Sequence, residues 1–302
     1  MDMTNSIVNY RRHLKRRNLS PHTVKNYIHT LKLFVLWLDA PIEKVDHRKV
    51  LEYVDHLFDR RLVAKTINCH LNSIRRFYDY LYHEEEIRLT NPVKSDYMLK
   101  LPQPLPRALK EEEVAAFFKV VKGRRDRAMF MLMLRCGLRV EEVFHLTVDG
   151  IDLDRQRLIV RNGKGRKDRV VYISNDANDA LGSYLKVRQG KRIQKVFLVE
   201  KGTFKGKAIS VRGIQKRMEY YARRSGVKVS CHHMRHTMAT QMLNADADLA
   251  TIQDLLGHNW ITTTERYCKI SNLKVQRDYF KAMEKIARRD QRRSQIEERP
   301  GL

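Results

Sequence analysis

The sequence has little of what builds a disulfide-bonded, metal-binding or membrane-spanning protein. It contains only four cysteines in 302 residues, scattered without a CxxC pair: Cys69, Cys136, Cys231 and Cys268. This spacing argues against a disulfide framework or a zinc site. No run of roughly eighteen apolar residues is present, so we predict no membrane span, and the N-terminal residues lack the apolar run of a signal peptide. These absences fit a reducing cytoplasm.

Acidic residues are also scarce relative to basic ones. There are 35 Asp and Glu against 60 Lys and Arg, which gives a formal net charge of +25. Residues 1–100 carry +6 of this charge and the remainder carries +19. Such a surplus favours a polyanionic partner, with nucleic acid first, although a solvated basic surface is the alternative. Because both parts are basic, we expect both to contact DNA.

Proline is rare except in one place. Four of the seven prolines lie between Asn91 and Pro106, and such a run disfavours helix and favours an extended linker. The chain is therefore expected to form four parts: an N-terminal DNA-binding domain over 1–98, a linker over 99–107, a second domain over 108–290, and a disordered tail over 291–302.

Apolar residues recur at helical spacing along most of the chain. In the N-terminal domain they predict a small bundle of four helices, with the fourth over 64–83. The basic face of that helix carries Asn68 and four residues that we expect to contact DNA: Lys65, Asn72, Arg75 and Arg76. A plain solvated face is the alternative for each of them.

The second domain is predicted to contain helices and one β-hairpin. The run 126–136 is apolar almost all round, which predicts a buried helix that Gly137 ends. Two β-branched runs, 157–161 and 169–173, flank a Gly-rich turn and predict the hairpin. Further helices are expected over 109–121, 141–146, 176–189, 211–225, 232–244, 247–256, 262–268 and about 273–287. The fold class is therefore mostly α with a small antiparallel sheet.

Residues 231–268 gather most of the side chains able to perform chemistry. His232 and Arg235 are three positions apart on a predicted helix, so they share a face. His258 follows a Leu-Leu-Gly sequence, where the glycine is typical of a helix end. Tyr267 lies nine residues further on.

Two more cations come from earlier in the chain. Arg139 directly follows the buried helix, and Lys164 lies in the turn of the predicted hairpin. Arg166 and Lys167 lie in the same turn, and we expect them to contact DNA. Many cations without a carboxylate pair or metal-ligand spacing indicate a phosphate site, in which arginines stabilise charge on a pentavalent phosphorus. Less Mg²⁺ would be needed there than in most phosphoryl-transfer sites. Tyr267 would be the nucleophile, and a hairpin lysine would protonate the leaving oxygen.

Each residue also has an ordinary structural interpretation. Tyr267 alone is typical of a core aromatic, Arg139 of an ion pair with a neighbouring glutamate, and Lys164 of a solvated turn. We interpret His233 and His236 as structural or solvent-facing.

The motifs, taken in order, resemble the tyrosine recombinase family, which includes phage integrases and Xer recombinases. CGLRVEEVFHLTVDGID resembles its first-arginine box, RNGKGRKDRVVYIS its β-hairpin lysine box, and HHMRHTMAT its His-x-x-Arg box. LLGH and TTTERY resemble the boxes of the second histidine and the tyrosine. The resemblance covers nearly the whole chain. It implies a supporting role for Glu142 and catalytic roles for six residues: Arg139, Lys164, His232, Arg235, His258 and Tyr267.

The family also implies a fold and a reaction. An N-terminal SAM-like four-helix bundle and a mixed α/β catalytic domain would clamp DNA. Tyr267 would form a 3′-phosphotyrosyl link and free a 5′-hydroxyl, without metal, ATP or another cofactor. Two such rounds, through a Holliday junction in a homo-tetramer, would integrate, excise or resolve DNA such as that of a mobile element. The free protein would be a monomer or weak oligomer, associated with the nucleoid.

Two other functions and two placements of the C-terminal helix are compatible with these residues. A type IB topoisomerase shares the tyrosine and its cations, and a non-catalytic DNA-binding protein would share the charge. The amphipathic helix at about 273–287 is expected to dock on a neighbouring subunit, with packing on its own domain as the alternative.

Overall fold

The computed structural model describes most of the chain: residues 3–102, 107–161, 168–190, 192–257, 277, 279–281, 283 and 284. The chain divides into two compact units, Met1–Gln103 and Pro104–Leu302. The division falls inside the stretch 99–107 that the prolines single out.

The first unit is a bundle of four helices: α1 (Met3–Arg16), α2 (Pro21–Trp37), α3 (His47–Asp59) and α4 (Ala64–His83). Ser20 caps α2, since its hydroxyl accepts from the backbone N–H of Thr23, and Pro21 occupies the first turn, where its missing N–H costs no hydrogen bond. Asp46 caps α3 in the same way. Apolar side chains that recur at helical spacing are fully buried between the helices, among them Leu31, Phe34, Leu71, Ile74 and Phe77.

The second unit is also mainly helical. Its helices are α5 (Glu111–Val120), α6 (Arg124–Arg135), α7 (Val140–His145), α8 (Asn175–Val187), α9 (Val211–Ser225), α10 (Cys231–Asn244) and α11 (Leu249–Leu256). The helix α6 packs against α8 and α10, and its residues 128–134 are all apolar and buried. Burial on several sides explains why it lacks a polar stripe.

Three short antiparallel strands complete this unit in the order β1 (Ile151–Asp152), β2 (Arg157–Val160) and β3 (Arg169–Tyr172). In the hairpin, Leu158 pairs with Val171, and both side chains are buried. The predicted fold class and the pairing of the two hairpin strands are confirmed. The two-residue strand β1 was not predicted, because two residues are too few to show an alternating pattern.

Helix positions agree closely with the sequence, and most ends differ by one or two residues. The predicted helix 262–268 and the tail 291–302 lie outside the described residues, as does most of the helix at about 273–287. Every helix in the described ranges is too short or too polar to traverse a bilayer.

Gly137 positions the functional end of the second unit. It follows α6 with φ of +63°, the left-handed conformation that favours glycine. A Cβ at this position would lie 2.9 Å from a methyl carbon of Leu256 and 3.2 Å from the sulfur of Met238. The glycine therefore lets the end of α6 approach α10 and α11 closely.

We predict that Gly137→Ala destabilises the protein much more than Gly206→Ala. Both glycines have positive φ, but a Cβ on Gly206 meets nothing within 4 Å. The control should lose about 1 kcal/mol from backbone strain alone, and Gly137→Ala about 3 kcal/mol, because packing must also shift. Urea unfolding of both variants measures this, and equal losses would contradict the close approach.

Candidate active site

Arg139 stands at the start of α7, two residues after Gly137. Its backbone N–H donates to Glu142 Oε2 at 2.8 Å and thereby satisfies a free donor of the helix end. Its guanidinium donates through Nη1 to Glu142 Oε1 at 2.9 Å and through Nη2 to the carbonyl of Gly257 at 3.3 Å. The ion pair with a neighbouring glutamate, offered above as the ordinary interpretation, is present. The side chain nevertheless keeps 24% of its surface exposed.

Arg235 lies on α10 and is almost wholly buried, with 2% of its surface exposed. Its Nη1 donates to the carbonyl of Gly137, and its Nη2 donates to the carbonyl of Leu256. The same Nη1 is 3.9 Å from Glu142 Oε2. A buried guanidinium is stable only when its donors and its charge have partners, and these groups supply them.

Arg139, Arg235 and His232 line one cavity of about 580 Å³, whose other wall includes Arg212 from α9. His232 is exposed on the first turn of α10, and its ring meets that of His236 edge-on at 4.3 Å between centroids. The cavity thus brings together three of the six residues predicted to be catalytic. Guanidinium forks and an imidazole in one cavity suit an anion with several oxygens, such as a phosphodiester.

Glu142 is the carboxylate around which these cations are arranged. It is buried, with 7% of its surface exposed. Burial would raise the pKa of Glu142, but hydrogen bonds and charge from Arg169, followed by those from Arg139, lower this pKa overall. The group is therefore ionised at neutral pH and offsets part of the local positive charge.

Sequence reasoning did not identify Arg169. This residue opens β3 and donates to both oxygens of Glu142, through Nη1 at 2.8 Å and Nη2 at 2.9 Å. The two residues are 27 positions apart in the chain. In the sequence Arg169 is one of several cations in a basic run, and only its place at the start of an apolar strand distinguishes it.

His233 follows His232 on the first turn of α10 and is half-buried. Its backbone carbonyl accepts from the hydroxyl of Thr237, and that hydroxyl accepts from the backbone N–H of Leu109. Burial, followed by the positive charge of Arg107, lowers the pKa of His233. The partial burial of its ring fits a structural interpretation of this histidine.

Five predicted site residues lie outside the described residues: Lys164, Arg166, Lys167, His258 and Tyr267. The helix stop predicted before His258 is confirmed, because Gly257 ends α11 with φ of +60°. Within the described ranges, no three His, Cys, Asp or Glu side chains come together as a metal site requires.

The first unit presents a basic surface of its own on α4. Four residues there are exposed as predicted: Lys65, Asn72, Arg75 and Arg76. Asn68 shares the same helix, but its side-chain amide exchanges two 2.9 Å hydrogen bonds with the backbone of Leu99. Its amide therefore anchors the segment after the bundle and is not available as the free polar group that the sequence suggested.

Comparison with protein families assigns both units. The model of the phage integrase family matches residues 107–273, more than half of the chain, and that of the phage integrase N-terminal SAM-like domain matches residues 7–85. The chain belongs to the phage integrase family. This confirms the resemblance to tyrosine recombinases inferred from the motifs.

Relatives of this phage integrase family member are similar over almost their full length. Tyrosine recombinase XerA of Thermococcus kodakarensis is 30% identical over 284 residues, which cover 93% of this chain and 96% of that protein. Tyrosine recombinase XerC of Myxococcus xanthus is 34% identical over 297 residues, covering 90% and 95% respectively.

Solved structures share the fold at lower identity. The Tn1549 transposon integrase in complex with transposon right end DNA has a TM-score of 0.74 at 18% identity, over 92% of this chain and 99% of that one. A lambda integrase dimer bound to a COC′ core site has a TM-score of 0.73 at 17% identity, over 88% and 95%. At such identities the likeness shows the fold.

We predict that Glu142→Gln lowers the free energy of unfolding at pH 7 by about 3 kcal/mol, because the buried arginines lose their counter-charge. The pKa of Glu142 is lowered in the folded state. Its contribution is therefore complete above the unfolded pKa of about 4.3 and is lost as pH falls toward the folded value.

The difference between wild type and Glu142→Gln should accordingly shrink below about pH 4.3, where the carboxylate begins to protonate. Denaturant unfolding at a series of pH values measures it. Asp149→Asn, which removes a carboxylate paired with Arg161 at the surface, is the control and should change little. A difference that is constant with pH would contradict the assignment of the charge.

Proposed function

We propose that the protein is a site-specific DNA recombinase that cuts and rejoins strands through a covalent 3′-phosphotyrosyl link to Tyr267. The observation that carries this proposal is the convergence of Arg139, Arg235 and His232 on one cavity. Both guanidiniums are fixed by protein acceptors before any substrate arrives. Preorganised donors of this kind stabilise charge that develops in a transition state.

The proposed step balances as a transesterification. The hydroxyl oxygen of Tyr267 attacks the phosphorus, and the bond from phosphorus to the 5′-oxygen breaks. Lys164 donates a proton to that leaving oxygen, and His232 takes part in transfer of the tyrosine proton. Arg139, Arg235 and His258 bind the phosphate oxygens. A 5′-hydroxyl from a partner strand reverses the step, so the bond energy is retained without ATP, metal or another cofactor.

The relatives support DNA as the substrate. Their names include tyrosine recombinases XerA and XerC, and the structurally similar XerH recombinase is bound to a palindromic difH substrate in a post-cleavage complex. We extend DNA as the substrate to the present chain, whose strong positive charge also favours a polyanion. Two rounds of strand exchange, through a Holliday junction within a homo-tetramer, would complete the reaction.

Each unit has a distinct part in this proposal. Residues 1–98 bind the DNA, residues 108–290 carry the chemistry, and the helix at about 273–287 docks on a neighbouring subunit. The basic surfaces provide the proposed phosphate contacts: Lys65, Asn72, Arg75, Arg76, Arg166 and Lys167. Four of these are exposed on α4, which supports their assignment.

A type IB topoisomerase would use the same tyrosine and cations. Relaxation of supercoiled plasmid without any partner site, and with no recombinant product, would favour that function. The match of the N-terminal SAM-like domain of phage integrases to residues 7–85 supports the recombinase.

We predict that Tyr267→Phe abolishes covalent protein–DNA adducts and leaves DNA affinity within about threefold of wild type, because only the nucleophilic oxygen is removed. Nicked suicide substrates built from a genomic library would trap the wild-type adduct. Sequencing the attached ends would identify the site.

The matched control is Tyr172→Phe, which removes the hydroxyl of an exposed tyrosine of the same unit. It should form adducts at the wild-type level. Adducts on the Tyr267→Phe protein would disprove the nucleophile, and failure of wild type to form any adduct would disprove the proposed function.

We predict that DNA affinity falls about a thousandfold or more between about 50 and 200 mM salt, because bound phosphates release counterions. The double variant Arg75→Ala with Arg76→Ala should flatten the slope of log affinity against log salt by roughly two. Arg48→Ala, an exposed cation on α3, is the control. A slope unchanged by the double variant would remove α4 from the DNA surface.

A further inference from the structure

Arg169 binds two groups at once, the carboxylate of Glu142 and the end of α11. Its Nη1 and Nη2 form a two-pronged pair with Glu142, and its Nε donates to the carbonyl of Leu255 at 3.0 Å. Only 12% of the side chain is exposed. A planar fork that satisfies a buried carboxylate and a backbone carbonyl at once fixes both groups in orientation.

The end of α11 receives three arginines in succession. The carbonyl of Leu255 accepts from Arg169, that of Leu256 from Arg235, and that of Gly257 from Arg139. The last carbonyls of a helix have no partner within the helix and form the negative end of its dipole. The three cations therefore hold the helix end that leads directly to His258.

The same three arginines surround Glu142, and this arrangement decides how its charge is shared. Arg139 Nη1 and Arg169 Nη1 both donate to Oε1 of that carboxylate. With one carboxylate among three guanidiniums, the cluster retains a net positive charge. Without Arg169, the buried carboxylate would have Arg139 as its main partner and would cancel charge at the cavity.

We infer that Arg169 is a positioning residue for strand cleavage: it pairs with Glu142 so that the charge of Arg139 stays available to the phosphate, and it fixes the helix end that precedes His258. Arg169 opens β3, the second strand of the hairpin. Its contacts therefore also join the hairpin to Glu142 in α7 and to the end of α11. The inference rests on the proposed function.

The test compares single-turnover adduct formation on a trapped, nicked duplex by Arg169→Gln, Arg169→Lys and the double variant Arg169→Gln with Glu142→Gln. Arg169→Gln should cleave about 100-fold more slowly, since a small displacement of a catalytic group costs that much. Its DNA affinity should stay within about threefold of wild type, because the side chain of Arg169 is largely buried and its donors are bound to protein acceptors. Arg169→Lys should recover part of the rate, because it restores the charge without the fork.

The double variant separates charge from simple structural support. Removing the Glu142 charge should restore the rate of Arg169→Gln about tenfold, because Arg139 is no longer neutralised. A purely structural role predicts that the double variant is slower than either single variant, and that result would overturn the inference.

Arg157→Gln is the matched control, since it breaks an arginine–carboxylate pair with Asp152 in the same sheet. It should cleave at the wild-type rate. Cleavage by Arg169→Gln within twofold of wild type would also overturn the inference. If wild type forms no adduct, the proposed function fails first and the inference falls with it; if wild type forms adducts, the variants decide the inference alone.

Discussion

The buried carboxylate of Glu142 is the constraint on which the candidate site depends. Its two oxygens accept from Arg139 and Arg169, and Arg235 lies within 4 Å. Burying one negative charge among three positive ones is favourable only if each donor has a defined acceptor. The three carbonyls at the end of α11 and the carbonyl of Gly137 supply the other acceptors. Glu142 and the end of α11 together hold the three arginines at fixed positions, and the cluster keeps a net positive charge.

Close packing makes this arrangement possible. Gly137 brings the end of α6 against α10 and α11, and its own carbonyl becomes an acceptor for Arg235. A bulkier residue than Gly137 would separate the end of α6 from α10 and α11. The buried guanidinium of Arg235 would then lose its two carbonyl acceptors, those of Gly137 and Leu256. The buried apolar residues of α6 also help to position the site, because a helix buried on several sides provides a rigid base for the residues that follow it.

The two units of the protein place their charged side chains differently. The first buries a conventional apolar core and leaves cations exposed on α4, where solvent offsets their charge. The second buries charged groups and must pair them inside. Exposed cations cost the fold little and suit contacts with a polyanion. Buried ones demand partners, which explains why the acceptors around Arg235 and Arg139 come from three places: the carbonyl of Gly137, the carboxylate of Glu142 and the end of α11.

The sequence by itself determined the helices, the hairpin, the surplus of positive charge and the identity of most candidate residues. Helical periodicity is local, so both ends of α4 were predictable to within a residue. Only the tertiary structure decided how Glu142 shares its charge, that Arg169 belongs to the site, and that Asn68 binds the backbone of Leu99. These contacts join residues 27 and 31 positions apart, and no local pattern encodes a pairing that arises only when separate segments pack together.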